Sequence, residues 1–220
     1  MVSTMRRPPC SAAFSLIEMI VVMGVLILLI GLVLFVYPAV KRNVANAKAA
    51  TDIKSLAGAL EAYKTDNGGY PQDATKTDTL DARDMTASQS TAPGSRYAIS
   101  SLYLYECLTG DTNDNGVIDS NEAGKNYAPD FFKPSRLFGP MVNGRLTSVQ
   151  YIKDPFGNSY GYSTAGLLLE QEYQAQLATN SNAPRPATNS KGTRGYNPTF
   201  DLWSTGGDTT GNPNRWIKNW

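Results

Sequence analysis

The sequence predicts an α+β fold in which one long N-terminal helix packs on a small antiparallel sheet. Three observations lead to this fold class. An uncharged apolar run of 19 residues extends from Met19 to Tyr37, a helical pattern continues beyond it to Asp66, and a strand-turn-strand pattern occupies 154–162. The chain of 220 residues is long enough for a membrane anchor and one globular domain.

The apolar run has the length of a membrane-spanning helix. At about 1.5 Å per residue it spans roughly 28 Å, which is close to the hydrocarbon thickness of a bilayer. A cleaved secretory signal with Ala45-Asn46-Ala47 as its cleavage site is the alternative, but the apolar part of such signals is shorter. The short basic segment that contains Arg6 and Arg7 predicts a cytoplasmic N-terminus.

The composition argues against several classes of protein. The net charge of +1 gives no reason to expect a nucleic-acid partner. The sequence contains no histidine, which excludes catalytic triads and metal sites that depend on this residue. We therefore predict no enzymatic activity. Removal of the N-terminus would leave Cys107 without its only possible partner, Cys10, so no disulfide is expected within the mature chain.

The second half of the predicted helix is amphipathic, because apolar side chains recur at spacings of three and four residues. Pro38 is expected to kink the helix without ending it. Asn67-Gly68-Gly69 is expected to end it, because Gly and Asn accept the left-handed backbone of a helix C-terminus. The predicted apolar face comprises Ala49, Ile53, Leu56, Leu60 and Tyr63, and the charged residues assigned to the other faces are Lys48, Asp52, Lys54, Glu61 and Lys64.

The rest of the chain is predicted to alternate between loops and short elements. Residues 72–95 are polar and are predicted to form a surface loop, whereas 99–108 are predicted to form a short helix buried against the long one. The dipeptide Gly157-Asn158 predicts a hairpin turn. Residues 166–176, followed by the polar stretch 180–195, are interpreted as an insertion that ends in a flexible loop.

The stretch from Asp111 to Glu122 matches the calcium-loop pattern D-x-N-x-N-G-x5-E. Ca²⁺ takes six to eight oxygen ligands, and Gly116 permits the sharp turn that such a loop requires. Gly124 argues against a long exiting helix, so the alternatives are a lone structural Ca²⁺ site and a polar turn that binds nothing. The candidate ligands are the side chains of Asp111, Asn113, Asn115, Asp119 and Glu122 and the carbonyl oxygen of Val117.

The segment from Ala13 to Glu18, with a basic leader before it and an apolar helix after it, resembles the processing site of type IV pilins and type II secretion pseudopilins. The resemblance implies that a prepilin peptidase removes residues 1–13 by cutting between Ala13 and Phe14, and that the new amine is methylated. It also implies that Glu18 pairs with the N-terminal amine of a neighbouring subunit during assembly. Ala13 stands where this family usually has Gly.

Three further segments are similar to major pseudopilins of type II secretion: 63–71, 154–158, and 200–208 with the final Asn219-Trp220. The last of them resembles a C-terminal calcium loop, which implies that Asp208 is a ligand. Asp201 and Ser204 are further candidate donors. The second acidic ligand of that loop has no match here, because Asn212, Asn214 and Trp216 occupy the region.

The resemblance as a whole implies a pilin-like structural subunit of a type II secretion pseudopilus. Residues 14–37 would form the transmembrane and filament-core helix, and 38–220 would form a periplasmic head on a single-pass inner-membrane protein. The expected partners are other copies of the chain, other pseudopilins, the prepilin peptidase and the inner-membrane assembly platform, and the expected cofactor is structural Ca²⁺. A minor type IV pilin and a membrane-tethered periplasmic binding domain are the alternatives.

Overall fold

The computed structural model describes residues 15–83, 92–122, 124–185, 194–208, 210 and 212–220. The chain divides into two compact units, with the boundary between Asn43 and Val44. The predicted leader, 1–13, lies outside the described residues. The predicted boundary between the transmembrane segment, 14–37, and the head, 38–220, depends on where the bilayer lies and stays a prediction.

Helix α1 runs from Leu16 to Asn67 without interruption, and Pro38 lies inside it. The predicted continuity of the helix past Pro38 is therefore confirmed. The helix ends where the sequence predicts, because Gly68 takes a φ of 79° and its N–H donates to the Lys64 carbonyl oxygen at 2.8 Å. This left-handed closure satisfies one of the last carbonyl groups of the helix.

The N-terminal part of α1 is long and apolar enough to cross a membrane by length and composition. Its large apolar side chains are exposed, with values between 43% for Val36 and 87% for Phe35. This surface is far larger than the apolar patches that soluble monomers carry. The first unit of the chain is thus an apolar helix that requires a covering environment.

The C-terminal part of α1 buries the face that the spacing predicts. Ala49, Ile53, Leu56 and Leu60 are at most 4% exposed, and Tyr63 packs at the edge of the same cluster. The assignment of Asp52 to a polar face was wrong, because this side chain is buried on the apolar face. The physical reason is a buried partner that is distant in sequence, described below.

Helix α2, Arg96–Thr109, confirms the predicted short helix and extends it at both ends. The Ser95 hydroxyl caps its N-terminus by accepting the Ala98 N–H at 3.2 Å, and Gly110 closes its C-terminus with a φ of 76°. Cys107 is a free, half-buried thiol on this helix. A third helix, α3 (Ala165–Thr179), forms in the segment that was interpreted as an insertion.

Seven short strands follow α2 in the described residues: β1 Leu137–Phe138, β2 Met141–Val142, β3 Arg145–Leu146, β4 Tyr151–Ile152, β5 Gly161–Ser163, β6 Asp201–Ser204 and β7 Ile217–Lys218. All pairings are antiparallel, as predicted. β1 pairs with β4, β2 pairs with β3, and β6 lies between β5 and β7.

The predicted hairpin at Gly157-Asn158 is a tight turn closed by one bridge, Lys153 with Ser159, rather than a two-stranded ladder. The Asp154 carboxylate holds this turn by accepting the N–H groups of Phe156 at 2.9 Å and Asn158 at 2.8 Å. The strands on either side then part, because β4 pairs with β1 and β5 pairs with β6.

Two apolar clusters hold the second unit together. The larger joins the buried face of α1 to α2 and the strands, and the smaller contains Leu80, Ala82, Tyr97, Trp203 and Trp216. Residues 72–83 are irregular, as the prediction of a surface loop or a partly disordered insertion for 72–95 requires, but Leu80 and Ala82 depart from a surface position because they lie in a core. Residues 84–91 of that segment lie outside the described residues.

Gly161→Ala is expected to lower the free energy of unfolding by about 1–3 kcal/mol, because a methyl group there would overlap the indole ring of Trp203 on the paired strand. The matched control is Gly58→Ala on α1, where no heavy atom lies within 4 Å of the added methyl. That change is expected to stabilise by about 0.5–1 kcal/mol through helix propensity. Chemical unfolding of the detergent-solubilised chain measures both, and a stabilising Gly161→Ala would contradict this packing.

Candidate functional site

The predicted assembly residue Glu18 lies in the first turn of α1. Its carboxylate accepts the backbone N–H of Ser15 at 3.1 Å. This is one half of a capping box, in which an acidic side chain reaches back three residues to an unpaired donor at the helix start. The Ser15-x-x-Glu18 spacing carries that signal, which the sequence analysis missed. The predicted cleavage pair, Ala13 and Phe14, lies outside the described residues.

Glu18 is exposed among exposed apolar side chains. Its neighbours along the helix include Leu16, Ile17, Met19 and Ile20, each at least 57% exposed. An unpaired carboxylate in such a surface carries a cost of about 2.5–3.5 kcal/mol at the centre of a bilayer-spanning helix, and less near its end. A cation supplied by another chain would remove this cost.

The loop from Asp111 to Glu122 begins directly after α2 and is organised around its first residue. Asp111 is completely buried, and its Oδ2 accepts the Tyr105 hydroxyl at 2.6 Å and the Gly116 N–H at 2.8 Å. Its Oδ1 is buried without a hydrogen-bond partner in the described structure. Gly116 takes a φ of 81°, which produces the sharp turn at the middle of the loop.

Glu122 closes the loop from its other end. Oε1 accepts the Thr112 N–H at 2.8 Å, and Oε2 accepts the Asp119 N–H at 2.8 Å. These backbone hydrogen bonds, that of Asp119 foremost, lower the pKa of Glu122. The Asn113 and Asn115 side-chain amides both donate to Asp119, at 3.1 and 3.0 Å. Hydrogen bonds thus connect four of the predicted ligand residues, Asn113, Asn115, Asp119 and Glu122. No contact described joins them to the Asp111 carboxylate, and the Val117 carbonyl has no contact described.

Negative charge accumulates around this loop. Residues 111–122 contain four acidic residues and no Lys or Arg. Burial, followed by the charges of Glu106 and Asp111, raises the pKa of Asp114 to about 6. Burial also raises the pKa of Glu106, and Lys76, 3.9 Å from that carboxylate, opposes the rise. The described residues contain no group of three or more His, Cys, Asp or Glu side chains arranged to hold a metal ion.

The second predicted metal ligand, Asp208, follows β6. Its Oδ1 accepts the Thr210 hydroxyl at 2.7 Å and the Thr210 N–H at 3.0 Å, which lower the pKa of this carboxyl. Its Oδ2 is buried without a partner in the described part of the chain. One carboxylate, with the positive charge of Arg215 nearby, is a poor donor set for Ca²⁺. Asp208 as a ligand stays a prediction from the resemblance.

Asp201 and Ser204, the further candidate donors beside Asp208, form hydrogen bonds with other residues. Asp201 accepts the N–H groups of Tyr196 at 2.7 Å and Asn197 at 2.9 Å, and burial raises the pKa of this carboxyl to about 6. The Ser204 hydroxyl donates to Asp154 at 2.6 Å.

Where the resemblance expects a second acidic ligand, Trp216 instead stacks on Trp203 with ring centroids 5.7 Å apart. Trp216 therefore does not supply the second acidic ligand.

A buried ion pair joins α1 to the strand region and was missed by the sequence analysis. Arg136 forms a salt bridge with Asp52, which also accepts the Tyr160 hydroxyl at 3.1 Å. The spacing indicates that Asp52 is on the apolar face, because it lies three residues after Ala49 and four before Leu56. The pair borders a polar cleft of about 360 Å³ that is lined also by Lys48 and Lys153.

Residues 39–104 match the family model of type II secretion system protein G. This stretch contains the amphipathic half of α1 and most of α2. The match covers less than a third of the chain and supports a relation to pseudopilins of the type IV pilin-like family. Searches of curated proteins and of solved structures gave no match.

Proteins of the matched family work with other pseudopilins and the secretion machinery, so partners of this kind are what the match implies. The family match ends before the Asp111–Glu122 loop and the C-terminal segment. The features that follow α2, including the calcium-loop pattern and the tryptophan stack, lie outside the matched residues.

Proposed function

We propose that the chain is a structural subunit of a type II secretion pseudopilus, which polymerises through α1 and supports protein export across the outer membrane. The observation that carries the proposal is the exposed apolar surface of α1 with Glu18 at its start, in a chain with a protein G segment. Such a surface is stable only in a bilayer or against the helices of other subunits. Both environments occur in turn when a membrane-anchored subunit enters a filament.

Two glycines support close packing of α1 against other helices. Gly24 and Gly31 are seven residues apart, so they lie on one face of the helix, and no heavy atom lies within 4 Å of either added Cβ position. Small residues let transmembrane helices approach closely, where van der Waals contacts replace the hydrophobic effect as the driving force. A filament core made of copies of α1 would use this face.

Glu18 supplies the specific contact in this proposal. A prepilin peptidase cuts between Ala13 and Phe14, and the new N-terminal amine of one subunit neutralises Glu18 of its neighbour. Because the Glu18 carboxylate already accepts the Ser15 N–H, it is held at the N-terminal end of the helix, where such an amine would arrive. The head lies in the periplasm, and the inner-membrane assembly platform adds subunits.

The first test is the N-terminus of the chain, determined by mass spectrometry after extraction from membranes. The chain is coexpressed with a prepilin peptidase, and a catalytically inactive peptidase serves as the control. A mature chain that begins at methylated Phe14 only with active peptidase would support the proposal. A chain that begins near Lys48 would identify a secreted soluble protein and end the filament proposal.

A chain that begins at Met1 under both conditions would favour a tethered binding domain instead. The specific observation behind this second candidate is the polar cleft beside Asp52, lined by Lys48 and Lys153. A cleft with convergent polar groups is what a binding domain requires. Two of the charged residues that line it, Asp52 and Arg136, already pair with each other.

A further inference from the structure

The geometry points to a Ca²⁺ site in the loop from Asp111 to Glu122, which is independent of the proposed filament function. The first observation is the pattern itself: oxygen-bearing side chains at positions one, three, five, nine and twelve, with Gly116 at position six. In the described structure hydrogen bonds connect Asn113 and Asn115 with Asp119, and Asp119 with Glu122. A hard cation with seven or so oxygen ligands matches this composition.

The second observation is a buried oxygen that lacks a partner. Asp111 is completely buried, and its Oδ1 receives no hydrogen bond in the described structure. The same carboxylate accepts the Gly116 N–H through Oδ2, so it lies beside the sharp turn at the middle of the loop. A buried carboxylate oxygen without a partner destabilises the fold, because the charged group has lost its contacts with water. A cation at the loop centre removes this cost.

The balance of charge supports the same conclusion. Asp111, Asp114, Asp119 and Glu122 lie within twelve residues that contain no Lys or Arg. Oδ1 of Asp114 is a second buried acidic atom without a hydrogen-bond partner in the described chain. Lys76 approaches the neighbouring Glu106 but forms no ion pair described with these four acids. A divalent cation would compensate the excess negative charge that the protein itself does not balance.

The ligands have separate parts in this site. Asp111 and Glu122 supply the carboxylates at the two ends of the loop, and Glu122 can bind with both oxygens. Asn113 and Asn115 contribute amide oxygens, Asp119 contributes a third carboxylate, and Val117 contributes its backbone carbonyl. Neutral amides at two of the five side-chain positions predict weak affinity, on the order of 10⁻⁴ to 10⁻³ M, as in extracellular calcium modules.

The bound cation would connect two parts of the head. Tyr105 donates to Asp111 from α2. On the other side, the Val149 N–H donates to the Asp114 carbonyl oxygen at 2.6 Å, just before β4. A Ca²⁺ ion in the loop therefore stabilises the junction between α2 and the strands, and its effect extends to backbone amides that do not bind the metal.

The test is calorimetric titration of the full chain in detergent micelles with CaCl₂, after removal of metal by a chelator. We expect one site in the affinity range given above, and at least tenfold weaker binding in Asp111→Asn and in Glu122→Gln. Asp130→Asn is the matched control, because Asp130 is exposed and lies outside the loop. It should bind as the unchanged protein does.

Two further measurements distinguish binding in the loop from misfolding of a variant and from binding at Asp208. Hydrogen exchange of the unchanged protein should slow at Gly116 and Val149 when CaCl₂ is added, which reports the site even if a variant fails to fold. Asp208→Asn should leave binding unchanged. Absence of binding at concentrations tenfold above the expected range would overturn the inference, and so would binding that survives Glu122→Gln but is lost in Asp208→Asn.

Discussion

Glu18→Gln is expected to reduce incorporation of the full-length chain into filaments at least tenfold while leaving its insertion into the membrane unchanged. Glutamine has nearly the same size, and its amide oxygen can still accept the Ser15 N–H at the start of α1. The substitution therefore removes the charge and keeps the cap. A hydrogen bond to a charged partner contributes about 1.5–3 kcal/mol, and each 1.4 kcal/mol corresponds to a factor of ten.

The measurement is chemical crosslinking of subunits in membranes, with the monomer fraction as the readout. Glu18→Asp is the matched control, because it keeps the charge, shortens the side chain by one methylene and should retain part of the assembly. A reduced total amount of the subunit in the membrane would indicate an insertion defect and is not expected, since removing a charge favours insertion. Normal crosslinking of Glu18→Gln would refute a role for this charge in assembly.

Asp52→Ala is expected to lower the free energy of unfolding by about 3 kcal/mol. The Asp52 side chain is 3% exposed and that of Arg136 is 25% exposed, so removal of the carboxylate leaves a largely buried guanidinium without its partner. Breaking one side of a buried pair costs about 3–5 kcal/mol, and the partial exposure of Arg136 places the expected loss at the lower end. The Tyr160 hydroxyl also loses its acceptor.

Asp66→Ala on the same helix is the matched control. Asp66 pairs with Lys125 at 2.6 Å, but the two side chains are 42% and 65% exposed, and exposed pairs contribute at most about 1 kcal/mol. Chemical unfolding in detergent micelles compares the two variants. Similar losses for both would mean that Asp52 is not the buried partner described here. The double change Asp52→Leu with Arg136→Met should recover much of the loss, because it leaves no unpaired charge.

Features that depend on local spacing could be predicted from the sequence. The extent of α1, its stop at Gly68 and the presence of α2 follow from hydrophobic periodicity and from residues that accept a left-handed backbone. The calcium-loop pattern is also local, and hydrogen bonds connect four of its predicted ligand residues. The capping interaction of Glu18 was within reach of the same reasoning and was overlooked.

Features that depend on distant partners could not be predicted. Asp52 is buried because Arg136 and Tyr160 meet it, and neither is near it in sequence. The pairing of β5 with β6 brings Gly161 beside Trp203, although more than 40 residues separate the two in sequence. Likewise, the burial of Asp111 depends on the fold around the end of α2. Spacing rules describe one element at a time, so such contacts are invisible to them.

The buried pair between Asp52 and Arg136 also has a mechanical consequence. Apolar contacts along α1 can slide, because one aliphatic side chain replaces another at little cost, whereas a directed ionic contact fits a single position. A shift of α1 by one helical turn, about 5.4 Å, would separate the two charges and move Asp52 away from the Tyr160 hydroxyl. The pair therefore opposes sliding of α1 along its own axis. A force applied along the helix would be transmitted through Arg136 to the residues just before β1.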